Sequence, residues 1–336
     1  MSAKSAKLES FRGAGFCEKA FVHESVKFIC KQISYTNARS LVLGVSGGVD
    51  SAVVARLCQL AIQRYARKFH TPIKLVCVFL PSLTTSAHSR EDAKALAHAF
   101  SLSLKQHSIA HYQEQFLADF PKATPLEVGN FCARVRMALL YHYSSMYQGI
   151  VVGTSNQSEL LLGYGTIFGD LACAINPIGA LFKTQIFSLA RILQLPESII
   201  TKPPSADLYP NQSDECELGF SYAEIDSLLA AIVARSAKYY SKESPKHRAR
   251  ESAKVKGEPK AKPPMPSKST LTPIHPNALR KKHYKSFEKK LASMVLTRIK
   301  ANQFKREMPT IFMPKSKLLR ELRTDTSSHK ATHKDT

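Results

Sequence analysis

The chain has no CxxC pair, no run approaching the roughly 18 apolar residues of a membrane span, and only 26 acidic residues against 48 basic ones. The first absence argues against a paired-thiol redox or metal centre. The seven cysteines (Cys17, Cys30, Cys58, Cys77, Cys132, Cys173, Cys216) are odd in number, sit mostly in apolar surroundings and are expected as reduced thiols. The second excludes a helical membrane anchor, and since no apolar run follows Lys4 and Lys7, the expected location is cytoplasmic. The shortage of acid leaves a formal charge of +22 over 336 residues, far from the average balance. The 44% apolar content is nevertheless that of a folded protein with one substantial core and a small accessory region.

The excess charge is concentrated. From Arg235 to Lys290 there are 17 Lys or Arg against 4 acids, in a stretch rich in Pro, Ser and Ala such as Pro259 to Pro266. Its central part, about Lys238 to Lys282, has few core-forming residues and is expected as a mobile insert. The expected organisation is a catalytic domain over 1–234, a basic insert over 235–284, a helical return over 285–312 and a flexible tail over 313–336. Polybasic segments can hold nucleic acid by counterion release, but interleaved aromatics for base stacking are lacking, so nucleic acid stays a minor expectation.

The remainder alternates between strand and helix patterns. Leu41 to Val45 is a short apolar run ending in a Gly/Ser loop, and Ser51 to Lys68 carries Val54, Leu57, Cys58 and Ile62 at helical spacing. Ile73 to Leu80 reads as the next strand, followed by a helix from Arg90 to Phe100 with Ser89 before it and Asp92 as its cap. A helix over Phe131 to Tyr147 leads to a strand at Ile150 to Val152, and another helix, Lys183 to Leu193, stops before Pro196. The expected fold class is therefore α/β, a doubly wound parallel sheet flanked by helices, with ligands at the carboxyl ends of its strands.

Gly44, Val45, Ser46, Gly47, Gly48, Val49, Asp50 and Ser51 form GVSGGVDS between the first strand and helix. The glycines let the backbone turn its NH groups inward, and the two serines add hydroxyls, which suits a phosphate. No Lys follows the glycines, so this is not a Walker A loop. The carboxylate in its place, Asp50, would repel phosphate unless a divalent cation lay between, which makes it a candidate magnesium ligand.

The loop resembles that of the N-type ATP pyrophosphatases, which cleave ATP between its α and β phosphates. Further segments are similar, in order, to the NAD synthetase family and most like its Helicobacter-type members: Gly129 to Met137, Gly153 to Glu159, Gly163 to Asp170, Pro177 to Leu189, Lys202 to Leu208 and Gln212 to Asp226. The resemblance implies the adenine nucleotide alpha hydrolase-like, Rossmann-like fold. It implies ATP contacts by the loop, Thr154, Lys183 and Ser205, and a magnesium ion on Asp50 and Glu159. Arg134 and Lys305 would contact the dinucleotide, Lys305 from the end of a helix over Phe287 to about Gln303. Asp170 is offered with Asp50 as an active-site carboxylate, and a loop-capping Asp is the alternative. Taken alone, Arg136 reads as a surface charge. Many relatives have a lysine at Ile167, an aspartate at Ala174 and a histidine at Phe304, so contacts there do not carry over.

The implied reaction is ATP-dependent amidation of deamido-NAD to NAD by ammonia, with AMP and pyrophosphate released, in a homodimer. Glutamine-dependent relatives carry a large glutaminase domain, and about 40 residues before the loop leave no room for one; free ammonia is the expected donor. An RNA-modifying pyrophosphatase and a non-catalytic nucleotide-binding module are the alternatives. His107 and His111 have metal-like spacing but no companion carboxylate motif, and ordinary packing or solvent exposure is the expected role.

Overall fold

The computed structural model describes residues 16–205, 213–242 and 274–306. Helix α1 (Glu18–Thr36) precedes β1 (Ser40–Gly44), then come α2 (Val49–Phe69), β2 (Lys74–Phe79), α3 (Ala87–Ala99), β3 (Leu104–Gln106), α4 (Ala110–Asp119), α5 (Pro125–Met146) and β4 (Gly149–Val152). The strands are parallel in the order β3-β2-β1-β4, with Ser40 opposite Lys74 on one side and opposite Gly149 on the other. β1 thus stands where the order reverses. The loops after β1 and β4 flank this point at the carboxyl ends of the strands, where sheets of this kind bind their ligands.

Alternation along the strands fills both faces. Leu41, Leu43, Cys77, Phe79 and Val152 join one core with Ile29 and Ile33 of α1 and Leu57 of α2. Val42, Val76, Val78 and Val151 join the other with Cys132, Met137 and Leu140 of α5. Gly149 lets β4 lie close against β1, since a Cβ there would stand 2.0 Å from Ser40 Oγ and 2.8 Å from Ser40 O.

Beyond β4 the chain forms α6 (Gln157–Leu162), α7 (Lys183–Ile192), α8 (Glu197–Thr201), α9 (Asp214–Leu218) and α10 (Tyr222–Lys242). Two 3₁₀ turns (Pro276–Leu279, Lys281–Tyr284), α11 (Lys289–Ala301) and a last 3₁₀ turn (Gln303–Arg306) follow. Leu161 and Leu162 of α6, Ile225, Leu228 and Leu229 of α10, and Val295 and Ile299 of α11 make a further apolar cluster.

Several boundaries differ from the sequence reading. α3 begins at Ala87 and is capped by Ser86, whose Oγ accepts from Ser89 N at 3.1 Å. Asp92 is instead buried in an ion pair with Lys202, 3.2 Å away. α5 starts at Pro125, six residues before Phe131, because Thr124 and Glu127 close a capping box at its start.

The basic segment is ordered at both ends. α10 continues through residues 235–242, and Ala278, Leu279 and Tyr284 are buried, so those positions belong to the folded body. His275 N donates to Ser236 Oγ at 2.6 Å and its ring stacks on Tyr239 at 5.0 Å, which fastens the two ends together. Residues 243–273 and the tail 313–336 lie outside the described residues. All the cysteines are free; Cys58, Cys77 and Cys132 are buried, whereas Cys17 and Cys216 are exposed rather than set in apolar surroundings. Burial pushes the Cys77 thiol up to about 12. Among the described residues no helix is long and apolar enough to cross a membrane.

Candidate active site

The loop after β1 is built on hydroxyls and one tight glycine. Ser51 Oγ accepts from Ser46 N at 3.2 Å and donates to Gly48 O at 3.0 Å, while Gly48 N donates to Ser46 Oγ at 3.2 Å. Gly47 has φ +85°, and a Cβ on it would stand 2.2 Å from Ser89 O at the start of α3. Only glycine permits both that torsion and that approach. Gly48 is the N-cap of α2 and has no side chain to cap it, so the first amides of α2 keep the open, electropositive start that favours an anion.

Three charged side chains converge beside this helix start. Asp50 lies in the first turn of α2. Asn156, fully buried past β4, donates from Nδ2 to Asp50 Oδ1 at 3.0 Å and forms the capping box of α6 with Glu159. Lys183, the first residue of α7, is 3% exposed, and its Nζ sits 2.5 Å from Asp50 Oδ2 and 3.2 Å from Glu159 Oε1. The two carboxylates therefore come from opposite sides of the switch point and face each other across one ammonium.

A third acid stands behind them. Lys183 Nζ lies 5.4 Å from the Tyr222 ring, the Tyr222 hydroxyl is 3.2 Å from Asp214 Oδ2, and the Tyr164 hydroxyl is 3.2 Å from Asp214 Oδ1 and 2.7 Å from Glu217 Oε2. Burial pushes the Glu159 carboxyl up to about 8; Lys183 pulls it down and Asp50 adds to the rise. Burial works against the Lys183 charge, yet Asp50 and Glu159 outweigh it and hold the ammonium above the usual lysine range. Asp50 and Glu159 bring hard oxygen donors together beside an open helix start, a donor set that suits a divalent cation. Among the described residues no three His, Cys, Asp or Glu side chains form a self-sufficient metal cage. Two carboxylates are enough for magnesium when phosphate and water oxygens complete its shell.

The other expected residues fall into two places. Thr154 follows β4 at the same sheet end, half-buried, next to Gly153, whose N donates to Ile175 O at 2.7 Å. Ser205 closes the segment in which Lys202 donates to Ser89 Oγ at 2.9 Å and Pro204 O accepts from Asp214 N at 2.9 Å.

The other three belong to the loop 163–170: Asp170 ends it, Lys305 holds it, and Arg134 lies on the helix whose Asn130 bonds it. Arg134 is exposed on α5 and bonds Asn130 O at 3.3 Å; Asn130 Oδ1 accepts from Thr166 Oγ1 at 2.7 Å. Asp170 Oδ1 accepts from Thr166 N at 2.8 Å, closing the turn, and Lys305 Nζ donates to Gly163 O at 2.9 Å and Gly165 O at 3.0 Å. Tyr164 links this loop to the buried group through Asp214. Ile167 is half-buried, and Ala174, Phe168 and Phe304 are exposed. Arg136 is not a surface charge: it donates to Leu80 O at 2.9 Å and Ser82 Oγ at 3.1 Å, anchoring the loop after β2. His107 packs edge-on to Tyr143 and His111 lies against Tyr112. Asn156, Asp214 and Tyr222 were not singled out as site residues from the sequence. The spacing of Asn156 and Glu159 as a capping box was the available sign for the first.

A parallel sheet with a hydroxyl-lined glycine loop, an uncapped helix start and facing carboxylates defines a nucleotide-binding α/β protein of the Rossmann-like alpha hydrolase fold. The NAD synthase family model matches residues 21–257, and the chain belongs to that family. The NH3-dependent NAD(+) synthetase of Wolinella succinogenes is 42% identical over 299 residues, 89% of this chain and 97% of the relative. That of Helicobacter pylori strain J99 is 40% identical over 84% of this chain and 92% of its own. Among solved structures, the NH3-dependent NAD synthetase of Campylobacter jejuni superposes with TM-score 0.62 at 30% identity, covering 89% of this chain and all of that one. The NMN synthetase of Francisella tularensis gives 0.66 at 27% identity, covering 90% and 100%.

Proposed function

We propose that the chain is an ammonia-dependent NAD synthetase, a carbon-nitrogen ligase that amidates deamido-NAD with ATP as co-substrate. The observation that carries this reading is the meeting of Asp50, Glu159 and Lys183 at the open start of α2. A nicotinate carboxylate accepts ammonia poorly, because it is anionic and its leaving group would be oxide. Its oxygen attacks the α-phosphorus of ATP and pyrophosphate departs; ammonia then attacks the acyl carbon, AMP departs, and the nitrogen loses its one surplus proton to water.

Asp50 and Glu159 would hold a magnesium ion, which supplies neutralisation of the triphosphate charge when bound. The open amides at the start of α2 hold the departing pyrophosphate, and the Lys183 ammonium follows its growing charge. Thr154 and Ser205 contact the nucleotide, and Arg134 and Lys305 hold the dinucleotide beside Asp170. With no relay of nucleophile and base in this set, acceleration comes from positioning and charge. The exposed Tyr112 of α4, Phe120 just after it, and Leu126, Tyr141 and Met146 of α5 support a homodimer; a monomeric mass at full activity contradicts it.

The test is an omission series with ATP, magnesium, deamido-NAD and ammonium, reading NAD, AMP and pyrophosphate. Product that needs all four supports the proposal. RNA-dependent ATP turnover without NAD would favour an RNA-modifying pyrophosphatase, and nucleotide binding without turnover a non-catalytic module.

A further inference from the structure

Asp226 is an acid in a core position, 5% exposed on α10 between Ile225 and Leu228, which belong to the apolar cluster. Burial pushes its carboxyl up to about 6, against the hydrogen bonds from Ser158 and Thr184. A carboxylate kept at such a cost calls for partners, and both its oxygens have them. Oδ1 accepts from Ser158 Oγ at 2.5 Å, and Oδ2 accepts from Thr184 N at 2.9 Å. Ser158 Oγ in turn accepts from Lys183 N at 3.0 Å. Ser158 precedes Glu159 and Thr184 follows Lys183, so one carboxylate holds the hydroxyl of Glu159's neighbour and the backbone amide of Lys183's neighbour.

We infer that Asp226 is a positioning residue for the amidation: through Ser158 and the start of α7 it sets Lys183 and Glu159 against Asp50. The inference rests on the amidation reading of this site. α6 and α7 are separate in sequence, and their starts meet at this carboxylate and at the bond from Gln157 N to Leu181 O, 2.7 Å. A simple helix cap needs only the bond to Thr184 N. The bond through Ser158 ties the cap to the residue next to Glu159.

In Asp226→Asn an amide offers one acceptor where two donors converge, so one bond must be lost. The full-length variant is expected to lose roughly 10- to 100-fold in kcat, with the magnesium concentration for half activity raised and ATP binding, measured by calorimetry, weakened about tenfold. Ser158→Ala keeps the carboxylate on Thr184 N and cuts only the branch to Lys183, so it should show the same pattern with a smaller fall in Tm. It serves as the test if Asp226→Asn does not fold.

A lower Tm with kcat per folded molecule, magnesium requirement and ATP affinity unchanged would make Asp226 a structural cap and overturn the inference. If the wild type makes no NAD, the amidation reading fails separately. Calorimetry on the same proteins then decides the inference, since unchanged ATP affinity in both variants overturns it.

Discussion

Lys183 Nζ lies 2.5 Å from Asp50 Oδ2, joining residues 133 positions apart at the meeting of two helix starts. Both partners are largely buried, so removing the cation strands a carboxylate rather than freeing it. Lys183→Met is expected to lower the stability of the nucleotide-free protein by about 3 kcal/mol and to abolish AMP formation. Urea unfolding checks the first effect. Adding Asp50→Asn to that variant should recover part of the stability and none of the activity.

Glu159 makes a pH-dependent contribution of definite sign. Its folded-state carboxyl stands near 8 against an ordinary 4.5. Between those values the unfolded chain has lost the proton and the folded one keeps it, so stability falls as pH rises through that window. Glu159→Gln removes the effect. Its Tm should match the wild type near pH 4 and exceed it by a margin that widens steadily toward pH 8, while activity is lost. A Tm difference that does not grow with pH would contradict the assignment.

The two glycines of the phosphate loop should respond differently to one methyl group. Gly47→Ala sets a Cβ 2.2 Å from Ser89 O at φ +85°, whereas the nearest neighbour of a Cβ on Gly48 is Ser46 Oγ at 3.3 Å. Gly47→Ala is expected to cost about 1–3 kcal/mol and most of the kcat. Gly48→Ala should fold with nearly unchanged Tm. Thermal melts with ATP turnover on both variants separate them.

Arg134 offers a test of substrate contact free of folding effects. It is exposed, with one long bond to its own helix at 3.3 Å. Arg134→Ala should leave Tm unchanged and raise the KM for deamido-NAD about tenfold or more, the loss of a charge-assisted contact. An unchanged KM would remove Arg134 from the dinucleotide site.

Local patterning carried much of this architecture. The runs Leu41 to Val45 and Ile73 to Leu80 are buried on both sheet faces, so continuous apolar residues mark them. β3 escaped the reading because Leu104–Gln106 is three residues at a sheet edge with two of them exposed. The basic segment misled at its ends, where composition averaged Ala278, Leu279 and Tyr284 into a charged stretch although each is buried. At the site, the glycine loop and Asp50 are legible because one short segment holds them. Asp214, Tyr222 and Asp226 become meaningful only through contacts that folding creates, and no local spacing announces such contacts.

The most direct test is a product measurement on the wild type and Asp50→Asn, with ATP, magnesium, ammonium and deamido-NAD, counting NAD and AMP together. Equal amounts of NAD and AMP from the wild type, and neither from the folded variant, are the result predicted here. AMP without NAD, or undiminished NAD from Asp50→Asn, would contradict the account.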